Sequence, residues 1–264
     1  MNPDYVLIQN ADGYLLNCKG DTLATAAHGD DNSYWQSTDH GYQHVLTGMT
    51  LTGSETDLRD VNGHLLTGVP FRITPAPPKL ASEILQDLND QGFAIIDRLM
   101  PESDIANLKK EIAVIRQRHH ADETPNDGNF WITDSLIWSI DVARAVTHPV
   151  AMWVMQQYMN SDEIHFCHQP IVNTLKPADK LKGQFPEGGW HSDYPYHGKV
   201  FPNDDWPEQP VFGVQFNICI DEFRANNAAT QYMPGSYKLR KMPPPEVNSG
   251  GTRMGEGVHT DTRQ

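Results

Sequence analysis

The stretch Gly188-Gly189-Trp190-His191-Ser192-Asp193 decides how this 264-residue chain is read, because it sets a histidine and a carboxylate two positions apart behind a permissive pair of glycines. On an extended strand residues i and i+2 project from the same face, so His191 and Asp193 present an imidazole nitrogen and a carboxylate oxygen to one point. That is half of a metal site. A further histidine from another strand would complete a two-histidine, one-carboxylate set of the kind that holds non-haem Fe(II) and leaves the opposite face of the metal open. Taken alone the triplet also fits a solvated loop, so its neighbours have to carry the fold.

Working outward from the triplet, the hydrophobic period is close to two. Ile164–Leu175, Val211–Ile220 and Ala229–Met233 read as strands, with turn residues frequent between them. Upstream the period is helical. Leu80, Ile84, Leu85 and Leu88 share a face, with Gly92 as the stop. Phe93–Asp97 then reads as a strand. A second helix runs from about Pro101 to Arg118 on the stripe Ile105, Leu108, Ile112 and Ile115, with acids in its first turn and arginines in its last. Further helices are expected around Ser139–Val146 and Pro149–Met159, the latter with proline in a first-turn position that tolerates it. The methionines and Trp153 near that helix read as core filler. Helices followed by strands predict an antiparallel sandwich or barrel with helices packed outside it.

Residues 1–73 read as a small β-rich module. Tyr5–Ile8, Tyr14–Leu16 and His44–Leu46 are short strands between turn signals. Ala11–Asn17 is echoed by Val61–Thr67, each with a glycine after Asp or Asn that favours a tight turn. The module reads as an appendage packed on the main domain, with a lectin-like role as the alternative. Three prolines at 75, 77 and 78 make 74–80 a stiff connector, and 81–264 form the main domain.

Composition narrows the function. With 38% hydrophobic and 20% charged residues the chain is an ordinary globular protein, and no apolar run approaches a membrane span. A formal charge of −14 repels phosphate backbones and anionic membranes, which argues against nucleic acid and membrane partners. Three widely spaced cysteines, Cys18, Cys167 and Cys219, and an amino terminus without a charged and apolar leader pattern predict a reducing, cytoplasmic setting. The 12 histidines supply metal-ligand chemistry in quantity. Oligomeric state is not legible.

Five segments in order resemble the phytanoyl-CoA dioxygenases and their ectoine-hydroxylase-like relatives: "QGFAIIDRLMPESDIANLKKEI" (91–112), "HPVAMWVMQQYM" (148–159), "HQPIVNTLKP" (168–177), "GGWHSD" (188–193) and "ANNAATQYMPGSYK" (225–238). The resemblance implies a mainly β fold with flanking helices, a double-stranded β-helix or cupin-like jelly roll, with Fe(II) at its open end and 2-oxoglutarate as co-substrate. His191 and Asp193 match the first two iron ligands. Asn173 and Gln169 match polar positions that face the co-substrate, Thr174 is the alternative to Asn173, and Trp190 would line the pocket or serve as a plain core aromatic. Oxygen and a small molecule, such as an acyl-CoA or amino-acid derivative, are the implied substrates. One atom of O2 enters a C–H bond as hydroxyl, while oxoglutarate is converted to succinate and CO2. A carboxylate at Asp193, where related halogenases carry a small residue, points to hydroxylation.

The resemblance also implies a distal histidine and, about ten residues on, an arginine for the far carboxylate of oxoglutarate. After Asp193 only His197 and His259 remain. His197 sits in a proline-bearing loop and reads as solvated or substrate-facing. His259 lacks a preceding apolar strand, and Arg263 follows it too closely. The expectation is a chain that stops before its jelly roll closes, with His259 as the alternative third ligand. A second reading is a catalytically inactive family member or fragment that acts as a binding protein. Substrate selection is expected in the loops 121–130 and 194–209, which carry Phe130, Trp131, Asp204, Asp205 and Trp206.

Overall fold

The computed structural model describes residues 4–67, 70–121, 130–174, 211, 213–224, 229–239 and 258–259. Short alternating segments separated by glycine-bearing turns pair with their sequence neighbours first. The strands β1 (Tyr5–Gln9), β2 (Leu15–Lys19), β3 (Thr22–Ala26), β4 (Trp35–Thr38), β5 (Gly41–His44), β6 (Thr50–Thr52) and β7 (Arg72–Pro75) form one seven-stranded antiparallel sheet. Its order is β3-β2-β1-β4-β5-β6, with β7 paired to β1. One side buries Ile8, Leu16, Cys18, Trp35, Leu51, Leu58 and Phe71 as a core of the sheet's own.

The echo in sequence is an echo in structure. Asn10 accepts from the Gly13 N–H through its carbonyl (3.0 Å) and from Asp12 and Tyr14 N–H through Oδ1 (3.1 and 2.8 Å). Asp60 does the same for Gly63 (3.0 Å) and, through Oδ1, for Asn62 and His64 (both 2.9 Å). Each turn needs a left-handed residue, and Gly13 and Gly63 supply it at φ +89° and +79°.

The connector differs from expectation. β7 extends through Pro75, in register with Val6, so the sheet runs two residues into the proline-rich stretch. Proline is tolerated there because it ends the strand, and Ala76 N–H takes up the Tyr5 carbonyl at 2.8 Å immediately after it.

Five helices follow: α1 (Ala81–Gln91), α2 (Glu102–His119), α3 (Ser135–Trp138), α4 (Ile140–Val146) and α5 (Pro149–Met159). Leu80 precedes α1 and has no side-chain acceptor for the first-turn N–H groups. Asp31, from the sheet module, accepts from Ser82 N–H at 2.9 Å, and Glu83 reaches back to Leu80 N–H at 2.8 Å. Gly92 ends the helix in the left-handed conformation, φ +86°. Ser139 caps α4 by accepting from Val142 N–H at 3.1 Å, and Pro149 opens α5.

Sheet and helices share a second core. Leu7, Leu15 and Tyr34 of the module pack with Ala81, Ile84 and Leu88 of α1 and Val150 and Val154 of α5. Gly29 makes the closest approach: its N–H donates to Pro149 O at 3.2 Å, and a Cβ there would stand 2.8 Å from Val150. Arg72–Asp104 and Arg98–Asp4 ion pairs add polar links between the two parts. Trp153 and Met155 pack in or against this helical layer, as core filler should.

Beyond α2 the described strands are short. β8 (Phe130–Ile132) pairs with β9 (Val172–Thr174), and β10 (Gln231–Tyr232) with β11 (Val258–His259). Several expected strands differ. Phe93–Asp97 forms none: after the Gly92 reversal, Ala94 and Ile96 bury themselves against the shared core without a neighbouring strand to pair with. Among the described residues of Ile164–Leu175 and Ala229–Met233, only 172–174 and 231–232 are strand. Along Val211–Ile220 no described residue is in a strand, although burial alternates, with Val214, Phe216 and Ile218 more covered than Gln215 and Asn217. Among the described residues no helix is long and apolar enough to cross a membrane.

Candidate co-substrate strand and metal centre

The antiparallel β8–β9 pair has two unlike faces. Ile132 and Val172, opposite one another in the register, pack against Ile112 and Ile115 of α2. Trp131 and Asn173, the next pair, lie on the other face. Both are exposed, Trp131 by 54%. Asn173 is thus held on the face turned away from the helix layer. Thr174 follows in the ladder, in register with Phe130.

The start of β9 is pinned from outside. Ser135 at the opening of α3 donates its hydroxyl to Pro170 O at 2.8 Å. Gln169, just before it, is exposed, and its carbonyl accepts from His168 Nδ1 at 2.7 Å. Trp131, expected in a substrate loop, instead stands on a strand. The signal was present in the apolar triplet Phe130-Trp131-Ile132, whose middle residue alternates to the open side.

Next to this strand pair Asp134 bridges two elements. It accepts from Trp138 Nε1 at 2.8 Å and from His120 Nε2 at 3.0 Å, while His119 stacks on Trp138 with centroids 3.7 Å apart. The Trp138 indole N–H, with His120 second, holds the Asp134 carboxyl below the usual range. This carboxylate is occupied in fastening the end of α2 to α3. Each of its two oxygens accepts one of these hydrogen bonds.

The segment that carries Tyr232 is anchored on the end of α1. Gly235 N–H donates to Gln91 O at 2.8 Å, Tyr237 donates its hydroxyl to Asn89 O, and Phe93 stacks on Tyr232 at 5.3 Å. Asn217 Nδ2 donates to the Tyr232 hydroxyl at 3.2 Å, which ties the alternating Val211–Ile220 segment to β10. β11 is antiparallel to β10 with His259 opposite Gln231. The sequence reading gave His259 no strand; the structure gives it a two-residue one.

His191, Asp193, Trp190, His197, Arg263 and the 194–209 loop lie outside the described residues. Among the described residues no three His, Cys, Asp or Glu side chains are grouped to hold a metal. The donor set named from sequence, one imidazole and one carboxylate, is of the type that suits Fe(II).

A family model described as phytanoyl-CoA dioxygenase (PhyH) matches residues 88–252, more than half of the chain. No curated protein and no solved structure matches it. The matched region begins within α1 and takes in every segment discussed around the candidate site except β11, while the seven-stranded sheet lies before it.

Proposed function

The chain belongs to the phytanoyl-CoA dioxygenase family, and from that premise we propose that it is an Fe(II)- and 2-oxoglutarate-dependent hydroxylase of a small molecule. The observation that carries the reading is the continuous match over 88–252, within which His191-Ser192-Asp193 supplies an imidazole and a carboxylate in alternate positions. The bound iron and oxoglutarate supply the oxygen chemistry: O2 and the C–H substrate become alcohol, succinate and CO2.

The chain's own residues have narrower tasks. His191 and Asp193 bind the metal, and Asp193 occupies a place that would otherwise admit a halide, which selects hydroxylation. Asn173 offers an amide to a co-substrate oxygen from the open face of β9, and Gln169 extends that polar row. Trp190 lines the pocket. Helix α2, packed behind Ile132 and Val172, backs the β8–β9 pair, so that the open face keeps its register.

The test is succinate release from 2-oxoglutarate with Fe(II) and O2 and no added prime substrate, the slow uncoupled turnover that such a site sustains. It is expected in the native chain and lost in both His191→Ala and Asp193→Ala. Succinate formation that survives both substitutions would remove the assignment. His259→Ala, measured beside them, reports whether the β11 position contributes a ligand.

A further inference from the structure

A groove of about 460 Å³ opens in the sheet module, outside the family match, on polar residues at the edge of the sheet's own core, against which Tyr42 packs. It is formed where the Thr38–Gly41 turn between β4 and β5 meets the loop after β6. Two glycines permit that meeting. A Cβ on Gly41 would fall 2.1 Å from Leu51 O, and one on Gly53 would fall 2.6 Å from Asp57 O; Gly53 N–H is bonded to His40 O at 3.3 Å. The lining is Ser37, Thr38, Asp39, His40, Tyr42 and the Ser54/Asp57 pair.

The chemistry of that lining is selective. Asp57 accepts from the Ser54 N–H and hydroxyl at 2.6 and 2.7 Å, which fixes one carboxylate oxygen, holds the acid ionised and aims the group. Asp39 adds a second carboxylate, and Ser37, Thr38 and Ser54 add hydroxyls that both donate and accept. The half-buried ring of Tyr42 forms an apolar wall beside them, and no Lys or Arg lines the groove. Fixed acceptors with an aromatic wall suit a polyhydroxylated ring, whose C–H face stacks while its vicinal hydroxyls donate. The absence of cationic lining, with a chain charge of −14, rejects phosphorylated and acidic sugars.

We propose that this groove binds a neutral saccharide, giving the oxygenase a second site separate from its chemistry. The proposal stands independently of the iron reading.

The test is titration of the ¹⁵N-labelled full chain with maltotriose, cellotriose and triacetylchitotriose, with spermidine as a cationic control, following amide shifts. At least one trisaccharide is expected to shift 37–42 and 53–57 saturably in the millimolar range. Asp39→Ala, an exposed position with no contact to either core, should weaken that binding about fivefold, the loss expected of one hydrogen bond. Tyr42→Phe, which keeps the ring, should leave it in place. Shifts from spermidine alone, shifts confined to other residues, or none from any trisaccharide would overturn the proposal.

Discussion

The sheet of residues 5–75 and the family-matched segment are assembled in opposite ways. In the sheet, most pairings join strands adjacent in sequence, and each turn brings its own closing device, such as Asn10 with Gly13 or Asp60 with Gly63. In and just beyond the matched segment the pairings are distant: β8 meets β9 across three helices, and β10 meets β11, which lies past the match, across a long connection. Local pairing costs little loop entropy and leaves its pattern in a short window of sequence. Distant pairing leaves only apolar alternation, which does not name its partner. Yet the distant segment carries the proposed site, where atoms from separate strands would have to converge on one point.

The two regions are nonetheless one body at their junction, and this is where the comparison breaks most visibly. Removing residues 1–73 would strip Leu7, Leu15 and Tyr34 from Ile84, Leu88, Val150 and Val154, and take away Asp31, which accepts from Ser82 N–H at the start of α1. The truncated chain is expected to lose cooperative unfolding and to aggregate; a truncated chain with a sharp thermal transition would show the sheet to be an independent appendage. Ile84→Ala, a single cavity in the same core, should cost about 2–5 kcal/mol in urea unfolding, with Trp35 in the sheet and Trp153 on α5 reporting coincident transitions.

A pH effect sharpens the same junction. His148 stands at the N-cap position of α5, and its Nδ1 is sealed from solvent without a hydrogen-bond partner. Burial pushes its pKa down to about 4 from 6.5. The unfolded chain therefore binds a proton that the folded chain refuses. Stability from this residue is full above pH 6.5 and falls as pH drops towards 4, by about 3 kcal/mol over that window. His148→Leu should flatten the fall between pH 6.5 and 4; an unchanged slope would assign the acid sensitivity elsewhere. The smallest effect is at the α1 start, where Asp31→Ala removes the acceptor for Ser82 N–H and should cost about 1 kcal/mol.

Much of the helical layer was legible, since Ile84, Leu88, Leu108 and Ile115 fall at helical spacing and are all buried as that spacing predicts. The hairpin turns were equally legible from Asp-Gly and Asn-Gly. Phe93–Asp97 misled because alternation describes which side chains are covered, and Ala94 and Ile96 are covered by packing against the core shared by sheet and helices rather than in a ladder. Pro75 misled in the other direction, since a proline stops a strand only where its N–H is needed. At the site, the sequence named Asn173, and the register adds what no spacing held: the residue opposite it is Trp131, and helix α2 closes the other face. Asp31 as an acceptor at the start of α1 had no signal at all, because it acts across separate elements.

In the proposed reaction a metal and oxoglutarate meet at His191 and Asp193. That meeting is tested most directly by anaerobic titration of Fe(II) and 2-oxoglutarate into the full chain, watching the weak visible band that iron-chelated oxoglutarate gives. The account predicts a saturable band in the native chain that is absent from Asp193→Ala and weakened in Asn173→Ala. A band of unchanged intensity and affinity in Asp193→Ala would contradict it.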